Sequence, residues 1–332
     1  MSLDDRKAAI LRAVVREYIE TAQPVGSAHV SRGGLGVSPA TVRNEMALLE
    51  RDGYLTQPHT SAGRVPTDKG YRFFVDQLTT PGALPPVQRQ QVREFFARAH
   101  GEIEQMLHDT SRLLSNLTDY AAVIVAPALE GAVVRSVQLV GLTPRVVLGV
   151  AVLSNGSVEK RTLELPHDVG DERVAAAGAH LASQLCGRTL AGFLDDVAHT
   201  GDPATDDLVR RACQSFEPDA EADHVFVGGA SRMVAAFDAV DTVRRVLGIL
   251  EQQYVVVGLL QEVLDRGMSV SIGTELGVES LAECAIVVAP YEVEGEAAGS
   301  IGVLGPTRMH YPEAMAAVAV VSQRLGRRLS ES

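Results

Sequence analysis

The chain has 332 residues, of which 46% are hydrophobic and 22% charged, and its formal net charge is −12. That length predicts two or three domains, with enough apolar surface to build packed cores. Taken over the whole chain, the acidic balance argues against a nucleic-acid partner, but the charge is unevenly spread. Residues 1–78 carry 10 Lys and Arg against 9 Asp and Glu, a net of +1, whereas residues 79–332 carry 20 against 33, a net of −13. Only the first segment can approach a phosphate backbone without large repulsion.

The longest apolar, uncharged stretch, Val146 to Val158, has 13 residues, short of the roughly 20 a spanning helix needs, so no membrane span is expected. The opening Ser2-Leu3-Asp4-Asp5-Arg6-Lys7 lacks the apolar core of a signal peptide, which predicts a cytoplasmic protein. Cys186, Cys213 and Cys284 form no CxxC pair and no His-bracketed zinc spacing. They read as reduced, buried thiols, with no metal or other cofactor expected.

In chain order, Asp5 to Thr21 reads as a helix, because Ile10, Leu11, Val14, Val15, Tyr18 and Ile19 recur at three- and four-residue spacing. Ala22-Gln23-Pro24 stops it. Ser27 to Arg32 reads as a short second helix, and Gly33-Gly34-Leu35-Gly36-Val37 as a turn. Ser38 is the N-cap and Pro39 the first residue of a third helix running to about Asp52, where Gly53 ends it. A short helix, a Gly-rich turn and a longer helix form a helix-turn-helix pattern. On the third helix Val42, Met46 and Leu49 fall within about 60° of arc, with Ala40, Arg43, Asn44, Ala47 and Arg51 on the other side. Arg43 and Asn44 have the chemistry to bond base edges or phosphates, with Thr41 near the helix start; a solvated face on an ordinary helix is the other reading.

Tyr54 to Gln57 and Arg64-Val65 read as two strands around a tip of turn formers, Pro58 to Gly63. This is a wing, and His59, Thr60, Ser61 and Arg64 are its candidate contacts to phosphate or the minor groove. Pro66-Thr67-Asp68 caps a fourth helix bearing Tyr71, Phe73, Phe74, Val75 and Leu78, its aromatics read as core or as packing against the next domain.

The run Ser38 to Met46 together with Gly53 to Arg72, ungapped, closely resembles the HrcA family of heat-inducible repressors of chaperone operons. The resemblance implies a homodimer on the inverted-repeat operator called CIRCE, double-stranded DNA as partner, and activity maintained by the GroE chaperonin.

Beyond this head, residues 79–86 read as a linker with three Pro and one Gly. Val87 to Asn116 is helical in pattern. Strands follow at Tyr120 to Ala126, Val134 to Leu142, Arg145 to Leu153 and Val158 to Leu165. A second set comes late, at Met268 to Gly273, Ala285 to Ala289 and Gly299 to Leu304, closed by a helix from Pro312 to about Leu329. Helix, antiparallel sheet and closing helix make a GAF-like pattern. Between the two sets, Asp171 to Cys186, Ala204 to Phe216 and Ala239 to Tyr254 read as helices, and an insertion in the sheet accounts for them. In the family resembled, such an insert dimerises. The expected class is therefore α+β: a winged helix-turn-helix at 1–78, a linker at 79–86, a GAF-like domain at 87–167 and 263–332, and an inserted α/β dimerisation domain at 168–262.

No phosphate-binding loop, nucleophile elbow or His-metal spacing occurs in the C-terminal part, so no catalytic residue is assigned and no enzyme is expected. Two alternatives stay open: a ligand-gated winged-helix regulator, and an enzyme with an accessory DNA-binding head. The strand candidates Tyr120–Ala126, Val146–Leu153, Val255–Leu260 and Ala285–Ala289 are almost free of charge and lack proline. Such segments aggregate when exposed, so one reading is a marginally soluble chain that competes for chaperonin, as the resemblance also implies, and the other is ordinary buried core.

Overall fold

The structure is a computed structural model and describes residues 3–59, 62–78, 82–99, 102–127, 132–154, 158–189, 199–216, 225–232, 237, 240–250, 258, 260, 267–293 and 295–331. The chain opens with three helices, α1 (Asp5–Thr21), α2 (Ser27–Arg32) and α3 (Pro39–Arg51). A two-stranded ribbon follows, β1 (Leu55–Thr56) and β2 (Val65–Pro66), and then α4 (Asp68–Asp76). Local chemistry fixes the helix ends. The Asp4 carboxylate accepts from Lys7 N–H at 2.8 Å, and Ala22 leaves α1 in a left-handed conformation with φ 53°. Ile10, Leu11, Val14 and Val15 are buried and pack in one core with Val42, Met46, Leu49 and Leu55. Burying each such side chain contributes roughly 1.5–3 kcal/mol.

The helical run expected from Val87 to Asn116 is two helices, α5 (Pro86–Arg98) and α6 (Ile103–Thr118). Ala99 is extended at the break, with ψ 107°. Its carbonyl accepts two bonds from the Arg328 guanidinium, at 3.1 and 2.8 Å. A distant side chain therefore takes up a helix-end acceptor, a partner that periodicity does not show.

The central sheet has five antiparallel strands in the order β7-β3-β10-β9-β8. They are β3 (Ala121–Val125), β7 (Val225–Gly228), β8 (Ser269–Ile272), β9 (Cys284–Val293) and β10 (Glu296–Pro306). Both faces are buried, so β3 reads as a continuous apolar run. Ala122, Ile124, Val287, Ile301 and Val303 share a core with α6 and the closing helix α10 (Tyr311–Ser330). Val123, Val125, Ile286, Val288 and Leu304 share another with α9 (Val240–Leu250). Strand β9 runs past the expected end at Ala289. Pro290 pairs with Ser300 on β10, beyond the end of the β8 pairing at Val288, so β8 needs no N–H from it.

The expected division of the chain after residue 87 needs correction. Strands β4 (Val134–Thr143), β5 (Val146–Leu153) and β6 (Val158–Glu164) do not join the sheet of β3. They form a separate three-stranded antiparallel sheet, covered on one face by α7 (Asp171–Leu185) and α8 (Pro203–Ser215). Its core runs from Ala132 to Phe216. The insert thus begins before β4, not at 168, and the central sheet resumes at β7, not at 263. Alternation identifies a strand but not the sheet it joins. Of the strand expected at Val255–Leu260, only Gly258 and Leu260 are described, and both are helical.

Among the described residues, the insert shares no core residue with the central sheet. Leu181→Ala, at a fully buried site on α7, should cost about 2–5 kcal/mol and lower one calorimetric transition while leaving the others in place. A uniform shift of all transitions would show that the insert does not unfold as its own unit.

Candidate nucleic-acid interface

The turn between α2 and α3 is closed by Ser31 Oγ, which donates to the Val37 carbonyl at 3.0 Å. Ser38 Oγ then accepts from Thr41 N–H at 3.2 Å and lies 3.0 Å from Thr41 Oγ1, so α3 starts where the sequence places it. Val42 and Leu49 are fully buried and Met46 nearly so, while Ala40, Arg43, Asn44, Ala47 and Arg51 are exposed. Thr41 is half-buried, its hydroxyl engaged with the cap. Arg43 forms no ion pair among the described residues. The exposed face thus offers one unneutralised guanidinium and one amide between two alanines.

The ribbon stands beside this face. Leu55 pairs with Pro66 and Thr56 with Val65. Gln57 Nε2 donates to the Ala62 carbonyl at 3.0 Å, and Ala62 N–H to the His59 carbonyl at 2.9 Å. His59 is exposed at the tip. Thr60 and Ser61, two of the expected contacts, lie outside the described residues. A cleft of about 460 Å³ separates α3 from the root of the ribbon, with Ser27, Arg43, Gln57 and Arg64 on its walls.

Arg64 is not the outward cation the sequence suggests. Its Nη2 lies 2.8 Å from Glu50 Oε2 on α3, and its side chain is 19% exposed. Its backbone exchanges two 2.9 Å hydrogen bonds with Val25, in the turn before α2. The neighbouring Gly63 has no room for a side chain, since a Cβ would meet the Val25 carbonyl oxygen at 2.4 Å. Arg64 therefore braces the ribbon against both the turn and α3. Glu50 and Val25 escape sequence reading because their partner is distant in the chain and no local period links them.

A second distant tie ends in α4. Thr67 Oγ1 donates to the Gly53 carbonyl at 2.7 Å and accepts from Gly70 N–H at 3.3 Å, joining the end of α3 to the start of α4. Lys69 Nζ donates to the Asp52 carbonyl at 2.8 Å and stands 4.3 Å from the centre of the Tyr54 ring. The head is thus a set of short elements cross-tied at their ends, with the exposed face of α3 held rigidly relative to the ribbon.

Among the described residues no group of His, Cys, Asp and Glu is arranged to hold a metal ion, and no helix is long and apolar enough to cross a membrane. Cys213 and Cys284 are buried, and burial pushes the Cys284 thiol up to about 12; Cys186 is exposed, contrary to expectation.

A family model described as HrcA protein C terminal domain matches residues 104–315. The chain is 40% identical over 345 residues to the heat-inducible transcription repressor HrcA of Rhodococcus jostii, with 99% of each chain covered. It is 41% identical over 340 residues to that of Acidothermus cellulolyticus, covering 99% of this chain and all of the other. Its fold is similar to a crystal structure titled a hypothetical protein, with a TM-score of 0.72, 23% identity and 99% of both chains covered. The chain belongs to the HrcA family of heat-inducible transcription repressors, negative regulators of heat-shock transcription.

Proposed function

We propose that this repressor binds an inverted-repeat operator of the CIRCE type as a homodimer, each winged helix-turn-helix head reading one half-site. The observation that carries the reading is the exposed Arg43–Asn44 face of α3, opposite its buried Val42–Met46–Leu49 stripe and flanked by the ribbon. A helix presented in this way suits the major groove. Arg43 and Asn44 are the candidate base readers, Thr41 orders the helix start, and His59, Thr60 and Ser61 are the candidate wing contacts. Arg64 acts by holding the wing in place.

The insert suits the dimer. Along β5, Val147, Ala151 and Leu153 are buried, while Val146, Leu148, Val150 and Val152 form the opposite row and are only half-buried. Val140 and Leu142 on the neighbouring β4 are 45% and 56% exposed. A solvated sheet face carries polar residues, and this one carries six aliphatic side chains. A second copy laid face to face covers both rows at once, as a two-fold axis requires. The central sheet, with a helix layer on each face, corresponds to the GAF-like body.

The GroE chaperonin is the proposed factor that maintains activity. Strand β3 is buried at all five positions, and its partners on β10 come only after the whole insert has been made. Such a strand stays exposed until late in folding, which favours capture by a chaperonin. When heat fills the chaperonin with other clients, active repressor falls and its targets are released.

Arg43→Ala and Asn44→Ala should each weaken operator binding by about 1–3 kcal/mol in a gel shift, with unchanged thermal stability. Arg64→Ala should weaken specific binding while leaving the salt dependence nearly as it was. A fall of roughly one unit in that slope would return Arg64 to the phosphate-contact role. For the dimer, Val150→Lys in the full chain should give a monomer in sedimentation that keeps its half-site affinity. Its affinity for the full operator should fall by about 10²–10⁴-fold, the loss of tethering. A variant that stays dimeric would place the interface elsewhere.

A further inference from the structure

The head meets the body through polar bonds between α4 and the segment 270–275 that ends β8. Asp68 Oδ2 accepts from Thr274 N–H at 3.1 Å and from Thr274 Oγ1 at 3.2 Å. Arg72 Nε donates to Glu275 Oε1 at 2.8 Å, and Arg72 Nη2 to the Val270 carbonyl at 2.6 Å and to Glu275 Oε2. Glu275 is itself fixed, because Oε2 also accepts from Ile272 N–H at 2.9 Å. Gly273 sits at φ +55°, and a Cβ there would lie 2.2 Å from Asp68 Oδ2. The loop is thus shaped to receive the carboxylate.

Apolar contact accompanies these bonds. Tyr71 on α4 and Tyr311 at the start of α10 are both buried, their ring centres 6.2 Å apart. Burial holds head and body together but tolerates rotation, since it is not directional. A two-pronged guanidinium–carboxylate pair does not tolerate rotation, because both N–H bonds must stay in the carboxylate plane. Helix α4 is tied to the end of α3 through Thr67 and Gly53. The orientation set at Arg72 therefore passes to the recognition helix through short, bonded steps.

Resting on the dimeric reading above, we propose that the Asp68–Arg72 contact with Thr274–Glu275 is a spacing determinant. It fixes the angle and separation of the two recognition helices, and so selects the spacer length between half-sites, without touching DNA. Half-site spacing on a palindrome is a geometric property of the dimer. Rigid attachment makes the dimer selective among spacers, and loose attachment makes it tolerant.

The test uses the full-length protein and variants Glu275→Gln and Arg72→Lys. The second keeps the charge but loses the two-pronged geometry. Affinity is measured on inverted repeats whose spacer changes one base pair at a time, and on an isolated half-site. Both variants should lose about tenfold at the preferred spacer and much less elsewhere, flattening the profile, with half-site affinity and dimer mass unchanged. A profile identical to the parent's overturns the proposal, as does an equal loss on the half-site, which would place the effect inside the head. Tighter binding by the variants also overturns it, since the contact would then hold the head away from DNA. A parent with no spacer preference would refute the dimeric operator reading itself.

Discussion

The body depends on the pairing of β10 with β3, in which Ser300 to Leu304 lie against Ala121 to Val125. Strand β10 also pairs along β9, from Glu296 to Pro306. It is therefore the strand through which early and late parts of the chain become one sheet. Helices α6 and α10 share a core on one face, and that core continues into the head through Tyr71, Phe74 and Val75. Between the two strands the chain makes a whole inserted unit with its own core. Closing a sheet over so long a loop carries an entropic cost that is met only when the last strand arrives.

The head obeys the opposite rule. Its helices are set by neighbours in sequence: the Asp4 and Ser38 caps, the left-handed Ala22, and apolar stripes of helical period. Inside the head, ties such as Arg64 to Glu50 and Thr67 to Gly53 span few residues, and its long-range contacts run from α4 to the body. Contacts between residues near in sequence form fast. On the proposed reading, operator binding by a dimer draws on both units, a head of largely local ties and a body whose sheet closes over the insert.

This contrast also explains what the sequence made legible. The limits of α1 and α2, the start of α3 and its two faces follow from caps and periodicity, and so could be read. The partition of the strands could not. Strands β4, β5 and β6 alternate as expected, yet nothing in their residues says that Val147 and Leu153 pack on Leu181 rather than on Ile124. The exposure of Arg43 and Asn44 was legible, because they lie on a helix face opposite a buried stripe. The exposure of Arg64 was not legible, because its partner Glu50 comes from another element. The contact of Arg72 with Glu275 spans most of the chain and leaves no local trace.

On the proposed reading, late closure of β3 on β10 limits the supply of active repressor. Pulse-labelled hydrogen exchange during refolding, with and without chaperonin, tests it most directly. Amides of α1 and α3 should become protected first. Those of Ala122 to Val125 and Ser300 to Leu304 should become protected together and last, with chaperonin raising the fraction that reaches that stage. Protection of β3 and β10 as early as α3, to the same extent whether or not chaperonin is present, would contradict it.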